Sequence, residues 1–202
     1  MSLFPIFLKL KSGRECLVVG AGAVAESKIE SLIVAESKIL VVAPEAGSKV
    51  NVWARSGVIR WEPRKFQPSD LENMFLVIAA TSSRDVNRQV FEEAQSRNIL
   101  CNAVDDPEYC DFYYPAVVRR GDLQIAISTA GHSPALAQRL RRQFENDFGS
   151  EYGDWLQHLG SIRKNLFARE IDPVERRRIL HEIAAGSPAH VETVKVEREN
   201  FQ

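Results

Sequence analysis

Cysteine is scarce and scattered. Cys16, Cys101 and Cys110 show no metal-ligand spacing and an odd count, so neither a metal site nor a disulfide framework is expected. Cys16 and Cys101 fall in apolar runs and read as reduced, buried thiols. An excess of one charge is also lacking. With 26 basic and 27 acidic residues and a net charge of −1, the chain as a whole has no electrostatic reason to seek nucleic acid or an anionic membrane. No apolar run approaches the length of a membrane span. The apolar start, Leu3-Phe4-Pro5-Ile6-Phe7, lacks a basic leader and is interrupted by Pro5, so a cytoplasmic, soluble protein is expected. No internal repeat or low-complexity segment appears. The 202 residues exceed what a single small domain requires, and two units are expected.

What is present centres on Cys16-Leu17-Val18-Val19-Gly20-Ala21-Gly22-Ala23-Val24-Ala25, an apolar run entering a glycine-spaced turn and then a helical pattern. In such a strand-turn-helix Gly20 permits the tight turn and Gly22 leaves the backbone open to a pyrophosphate. The small Ala25 lets the helix pack closely on the sheet. The first N–H groups of the helix, at Ala23 and Val24, would point at the phosphates. A helix over 24–35 and a second apolar run, Ile39-Leu40-Val41-Val42-Ala43, complete a strand-helix-strand unit, which turns a weak motif into a dinucleotide-site expectation. The second run ends at Pro44-Glu45, roughly twenty residues beyond the glycines, where an acidic side chain commonly takes ribose hydroxyls. Glu45 has no arginine beside it to hold a 2′-phosphate, so the sequence leans to NAD over NADP.

Further along, residues 3–10 read as a short edge segment, with Lys11-Ser12-Gly13-Arg14 as its turn. A helix over 47–55, a strand at 58–61 and a linker over 63–68 precede Met74-Phe75-Leu76-Val77-Ile78-Ala79-Ala80-Thr81, a continuously apolar run of the kind that forms a parallel strand covered on both faces. Its end, Thr81-Ser82-Ser83, should sit at the crevice where open parallel sheets bind ligands. A helix capped by Ser83 follows over 86–97, then a strand over 99–104 that delivers Asp105-Asp106 to the same edge. The alternation argues for an α/β, Rossmann-type doubly wound parallel sheet.

After Pro107 the pattern changes. Strand-like runs over 112–118 and 123–128 are joined by Arg119-Arg120-Gly121-Asp122, a hairpin-type turn. Thr129-Ala130-Gly131-His132-Ser133-Pro134 is a small-residue turn opening a helix to about Phe148, on which Ala135, Leu136 and Leu140 are expected to face inward. Two further helical patterns span 152–169 and about 173–185, and the tail from Ser187 is expected to fray. The expected division is a Rossmann domain over 1–112, a β-hairpin and helix dimerisation segment over 113–148 and a small helical C-terminal domain over 149–202.

Val18-Val19-Gly20-Ala21-Gly22-Ala23-Val24-Ala25, Ala79-Ala80-Thr81, Asn102-Ala103-Val104-Asp105-Asp106, Tyr114-Pro115-Ala116 and Ile127-Ser128-Thr129-Ala130-Gly131-His132-Ser133-Pro134-Ala135-Leu136-Ala137 stand in this order from about Leu3 to Arg142. The chain thereby resembles the precorrin-2 dehydrogenase family, the module of sirohaem synthases that oxidises precorrin-2 to sirohydrochlorin and in some members also inserts ferrous iron. The resemblance implies NAD as hydride acceptor, a tetrapyrrole substrate, ferrous or cobaltous ion as a chelation substrate in some members, and a homodimer exchanging contacts through the hairpin and the helix after Ser133. It also implies that the key acid of the Asn-x-Val-Asp motif is Asp105. At a position where the family carries a serine discussed for tetrapyrrole binding, Thr129 stands here with Ser128 before it. Ala21 interrupts the three glycines common in the family loop. The fused methyltransferase of larger members is not expected.

Hydride transfer requires a group that accepts or steers the accompanying proton, and Asp105 at the strand edge suits that role. Its structural alternative is to cap the turn that follows. A polycarboxylate substrate favours guanidinium recognition, for which Arg119, Arg120, Arg139, Arg141 and Arg142 are candidates, although each also fits a solvated surface. His132 could contribute beside Ser128 and Thr129. No resident metal ligand is expected. The alternative from another class is a non-catalytic NAD-sensing module whose helices dimerise or bind a partner. It accounts for the glycine loop but does not require Asp105.

Overall fold

The structure is a computed structural model that describes residues 3–10, 13–186 and 188. Two compact units divide between Tyr113 and Tyr114. In the first, strands β1 (Glu15–Val19), β2 (Lys38–Val42), β3 (Arg60–Glu62), β4 (Met74–Ala79) and β5 (Leu100–Ala103) alternate with helices α1 (Ala23–Val34), α2 (Ser48–Arg55) and α3 (Arg84–Ser96). The strands are all parallel in the order β3-β2-β1-β4-β5. Chain order therefore reverses between β1 and β4, the place where an open sheet leaves a crevice at its carboxyl edge.

The sheet forms because its strands are apolar at nearly every position. Leu17, Val19, Leu40, Val42, Val77, Ala79, Cys101 and Ala103 pack on one side with Leu71, Val90, Ala94 and Ile99. The alternate residues Cys16, Val18, Ile39, Val41, Leu76 and Ile78 are buried as well. Both faces are thus covered, as parallel strands require. Burial pushes the Cys16 thiol up to about 11 and the Cys101 thiol up to about 12, which keeps both protonated and inert.

Several expectations are corrected. Residues 3–10 form no strand, and of them only Leu10 is buried; Pro5 has no N–H to give a ladder, and the sheet edges are β3 and β5. Of the turn expected after them, Lys11 and Ser12 lie outside the described residues, as does Ser187 with nearly all of the tail that follows it. The strand expected from Phe112 begins at Ala116 instead. Cys110 pairs with Asn102 in an isolated antiparallel bridge, and the Asn102 amide donates to the Phe112 carbonyl at 2.7 Å, so this stretch lies beside β5.

The second unit holds the hairpin β6 (Ala116–Arg120) and β7 (Leu123–Ile127), then α4 (Pro134–Asp147), α5 (Glu151–Phe167) and α6 (Pro173–Ala184). Gly153 lets α5 approach the hairpin tip, where an added Cβ would stand 3.2 Å from the Arg120 carbonyl. On α4 the buried residue is Ala137, whereas Leu136 is 39% exposed and Ala135 is also exposed. The inward stripe runs Ala137, Leu140, Phe144, Phe148, so Leu140 faces inward as expected while Ala137 takes the place expected of Ala135 and Leu136. Ser133 accepts from Leu136 N and thereby fixes the helical phase.

Two local interactions shape the carboxyl edge. Gly20 has φ 109° and donates its N–H to Val42 O at 2.9 Å, while a Cβ there would collide with the Ala80 carbonyl. At the far side Arg64 grips Asp70 with two guanidinium nitrogens at 2.9 and 2.6 Å, and Gln67 N adds a bond at 2.8 Å. Burial opposes ionisation of Asp70, yet the Arg64 fork and the Gln67 N–H hold its carboxyl below the usual carboxylate range.

Gly20→Ala is expected to destabilise the first unit by about 3 kcal/mol or more, read as a lower thermal midpoint, because both backbone angle and space refuse the methyl. Asp70→Asn should cost about 2 kcal/mol at neutral pH. Since the folded carboxyl titrates below its unfolded value of about 4, this difference is full above that value and fades as pH falls through the folded one, which paired denaturation curves at pH 7 and pH 2 would check.

Candidate functional site

At the carboxyl ends of β2, β1 and β4 lies a cleft of about 580 Å³. Gly20, Gly22, Pro44, Glu45, Thr81 and Ser82, all singled out in the sequence, line it. Ala23 and Val24 belong to the first turn of α1 and are exposed there, contributing backbone rather than wall.

The cleft fits a dinucleotide on its own geometry. Gly22 sits at the N-terminus of α1 in extended conformation with no side-chain cap, and a Cβ added there would meet nothing within 4 Å. The amides of the first α1 turn have no partner inside the helix, and they carry the positive end of its dipole. The glycine loop is braced from the opposite wall, because Gly47 N donates to Ala21 O at 3.1 Å. Glu45 therefore stands on a loop tied to the glycine loop.

Thr81 is fixed by a buried neighbour. Its hydroxyl donates to Asn87 Oδ1 at 2.7 Å, its N–H reaches the same oxygen at 3.1 Å, and Asn87 Nδ2 returns a bond to Thr81 O at 3.1 Å. Ser83 accepts from Val86 N and opens α3. The strand end is thereby rigid, with Ser82 lying between fixed neighbours.

Asp105 follows β5 at the same sheet edge. Val104 N donates to Ala79 O at 2.9 Å as the last sheet bond, and Asp106 N closes a turn on Ala103 O at 3.3 Å. Asp105 occupies that turn with φ 62°, a left-handed conformation that aspartate tolerates better than most side chains. Its side chain is exposed. Cys110 Sγ lies 3.1 Å from Ala103 O and 3.2 Å from Asp106 O, closing the returning chain onto the turn.

Sequence reasoning missed three contributors. Lys65 and Phe66 line the cleft from the linker that Arg64 and Asp70 pin, and only that pairing, invisible to periodicity, presents them there. Lys28 is half-buried on α1. Burial pulls its ammonium below the usual lysine value, while the charges of Asp105 and Cys110 push the other way. A lysine among the alternating polar residues of a helix carries no sequence signal for such a neighbour.

In the second unit the residues proposed for substrate divide by partner. Ser128 Oγ accepts from Ala130 N at 3.1 Å and Thr129 Oγ1 from Ser133 N at 3.2 Å, so both hydroxyls organise the turn in which Ala130 and Gly131 have φ 51° and 82°. His132 is exposed on that turn, and Arg119 is exposed on β6. Arg120 instead turns inward, donating to Phe148 O at 2.7 Å and Glu145 O at 2.8 Å, where it satisfies carbonyls at the end of α4. Arg141 is paired with Glu145. Among the described residues no three His, Cys, Asp or Glu side chains gather to hold a metal ion, and no helix is long and apolar enough to cross a membrane.

Comparison with known proteins agrees with this geometry. Residues 6–116 match a family model described as "Putative NAD(P)-binding", and residues 120–146 match one described as "Sirohaem biosynthesis protein central". A sirohaem synthase of Photorhabdus laumondii is 40% identical over 177 residues, covering 88% of this chain and 37% of that protein. One from Neisseria meningitidis is 38% identical over 178 residues, with coverages of 88% and 37%. The chain thus spans little more than a third of these relatives. A solved structure of SirC, a precorrin-2 dehydrogenase, superposes with a TM-score of 0.77 at 30% identity, covering 90% of this chain and 89% of that one. With a nucleotide cleft at the switch point, the motif acid at the end of β5 and likeness to SirC over nearly the full length of both chains, the protein belongs to the precorrin-2 dehydrogenase family of sirohaem biosynthesis.

Proposed function

We infer that the chain is an NAD-dependent precorrin-2 dehydrogenase, oxidising precorrin-2 to sirohydrochlorin. The observation that carries this reading is the common sheet edge of the cleft and Asp105: β4 leads into Thr81 and Ser82 in the cleft, and its neighbour β5 leads into the exposed carboxylate. NAD, when bound, supplies the hydride acceptor. The amides of Gly22, Ala23 and Val24 would hold its diphosphate and Glu45 would take ribose hydroxyls, with Thr81 and Ser82 lining the same cleft. Lys65 and Phe66 close the outer wall.

Asp105 accepts, at a carboxylate oxygen, the proton released from the substrate. Exposure leaves it within reach of a bulky ring, on a left-handed turn just beyond the strand. Lys28 contributes a positive charge near it. For the substrate's carboxylates, Arg119, His132 and the Ser128–Thr129 turn are the proposed contacts, with Arg120 supporting them through α4. Ferrous or cobaltous insertion, assembly as a homodimer and a cytoplasmic location are part of the same proposal, on the strength of the family resemblance.

Asp105→Asn keeps the size and the left-handed tolerance of the residue while removing the base. Turnover of enzymatically made precorrin-2 with NAD, followed by chlorin absorbance with and without ferrous ion, should fall by roughly 10²-fold or more, with calorimetric NAD affinity unchanged. Wild-type turnover would refute the role, and absence of any heat with NAD in the unaltered protein would refute the enzyme. Gly22→Ala, which meets no obstacle in the fold, should leave the thermal midpoint in place and weaken NAD binding roughly tenfold or more.

A further inference from the structure

Arg84 and Asp106 form an ion pair that the proposed reaction does not use. Arg84 Nη2 stands 2.8 Å from Asp106 Oδ2, and the Asp106 side chain is only 12% exposed against 84% for Arg84. An arginine at the first position of α3 has the wrong sign for the positive end of that helix, so its location is explained by what it reaches rather than by the helix it opens. What it reaches is the backbone hub of the Asp105 turn. Asp106 gives its N–H to Ala103 O, and its own carbonyl accepts from Tyr109 N at 3.1 Å and lies 3.2 Å from Cys110 Sγ. Fixing Asp106 fixes the chain on both sides of Asp105. The other end of the link adjoins Ser82 and Ser83, which line the cofactor cleft.

We propose that Arg84 is a positioning residue for Asp105, locking the turn that presents the carboxylate to the strand end that borders the cofactor. Asp106 is the grip and not a second base, because it is mostly buried and one of its oxygens is already engaged by the guanidinium. The proposal rests on Asp105 being the proton acceptor.

The test compares Arg84→Ala, Arg84→Lys, Asp106→Asn, the Arg84→Ala/Asp106→Asn double variant and Asp105→Asn in the full chain. Arg84→Ala should lower kcat roughly tenfold with KM for NAD and calorimetric NAD affinity within about twofold, as expected for a misplaced rather than a missing group. Hydrogen exchange across residues 103–110 should accelerate in the same variant. Asp106→Asn should match it and the double variant should be no worse than either, since the two act as one unit. Arg84→Lys should recover most of kcat. Wild-type kcat in Arg84→Ala beside an inactive Asp105→Asn overturns this proposal alone. An inactive Asp106→Asn beside a normal Arg84→Ala would overturn it too, making Asp106 the acid itself. An active Asp105→Asn removes the base assignment and the positioning role together.

Discussion

The first unit depends on one close approach of backbones. Between β2 and β4 the chain at Gly20 has room for a hydrogen and nothing larger, and that confinement turns the chain out of the sheet at the point where strand order reverses. α1 consequently starts over the crevice with its amides bare, and the neighbouring strand ends become the walls of one cleft. A wider turn would begin the helix elsewhere, and the apolar strands, however well packed, would then carry no site.

The first unit assigns different physical tasks to its carboxylates. Asp70 is sunk in the structure and gripped by Arg64, so it holds a loop. Asp106 is mostly covered and holds a turn, while Asp105, one residue earlier, is held out to solvent by a backbone angle. Chemical availability here is decided by burial and by partner rather than by residue type. The arginines of the second unit divide in the same way, with Arg120 turned onto the end of α4 and Arg119 left exposed.

Much of this architecture is legible in the order of the amino acids. Continuous apolar runs give parallel strands because both faces are covered, and the glycine spacing gives the turn, so β1, α1, β2, β4 and α3 lie within a few residues of expectation. What stays hidden has physical causes. Residues 3–10 are apolar enough for a strand but lack a ladder partner, which no local pattern reveals. At the start of α4 the apolar Leu136 is exposed while the small Ala137 is buried, so hydrophobicity alone misplaces the first inward residue. Lys65 and Phe66 line the cleft from a linker pinned by the Arg64–Asp70 pair, and Lys28 comes near Asp105 from a segment far away in the chain; a linker or a polar helix face has no period to betray them.

The tether between Gly47 N and Ala21 O has a further meaning. It joins the loop bearing Glu45 to the loop bearing Gly22, and the Glu26 carboxylate lies against Gly47, where it would have to move to admit a side chain. The two loops that line this side of the cleft are therefore joined. Side chains mounted on either loop can be exchanged singly, whereas a shift of one loop's backbone draws on the bond that ties it to the other.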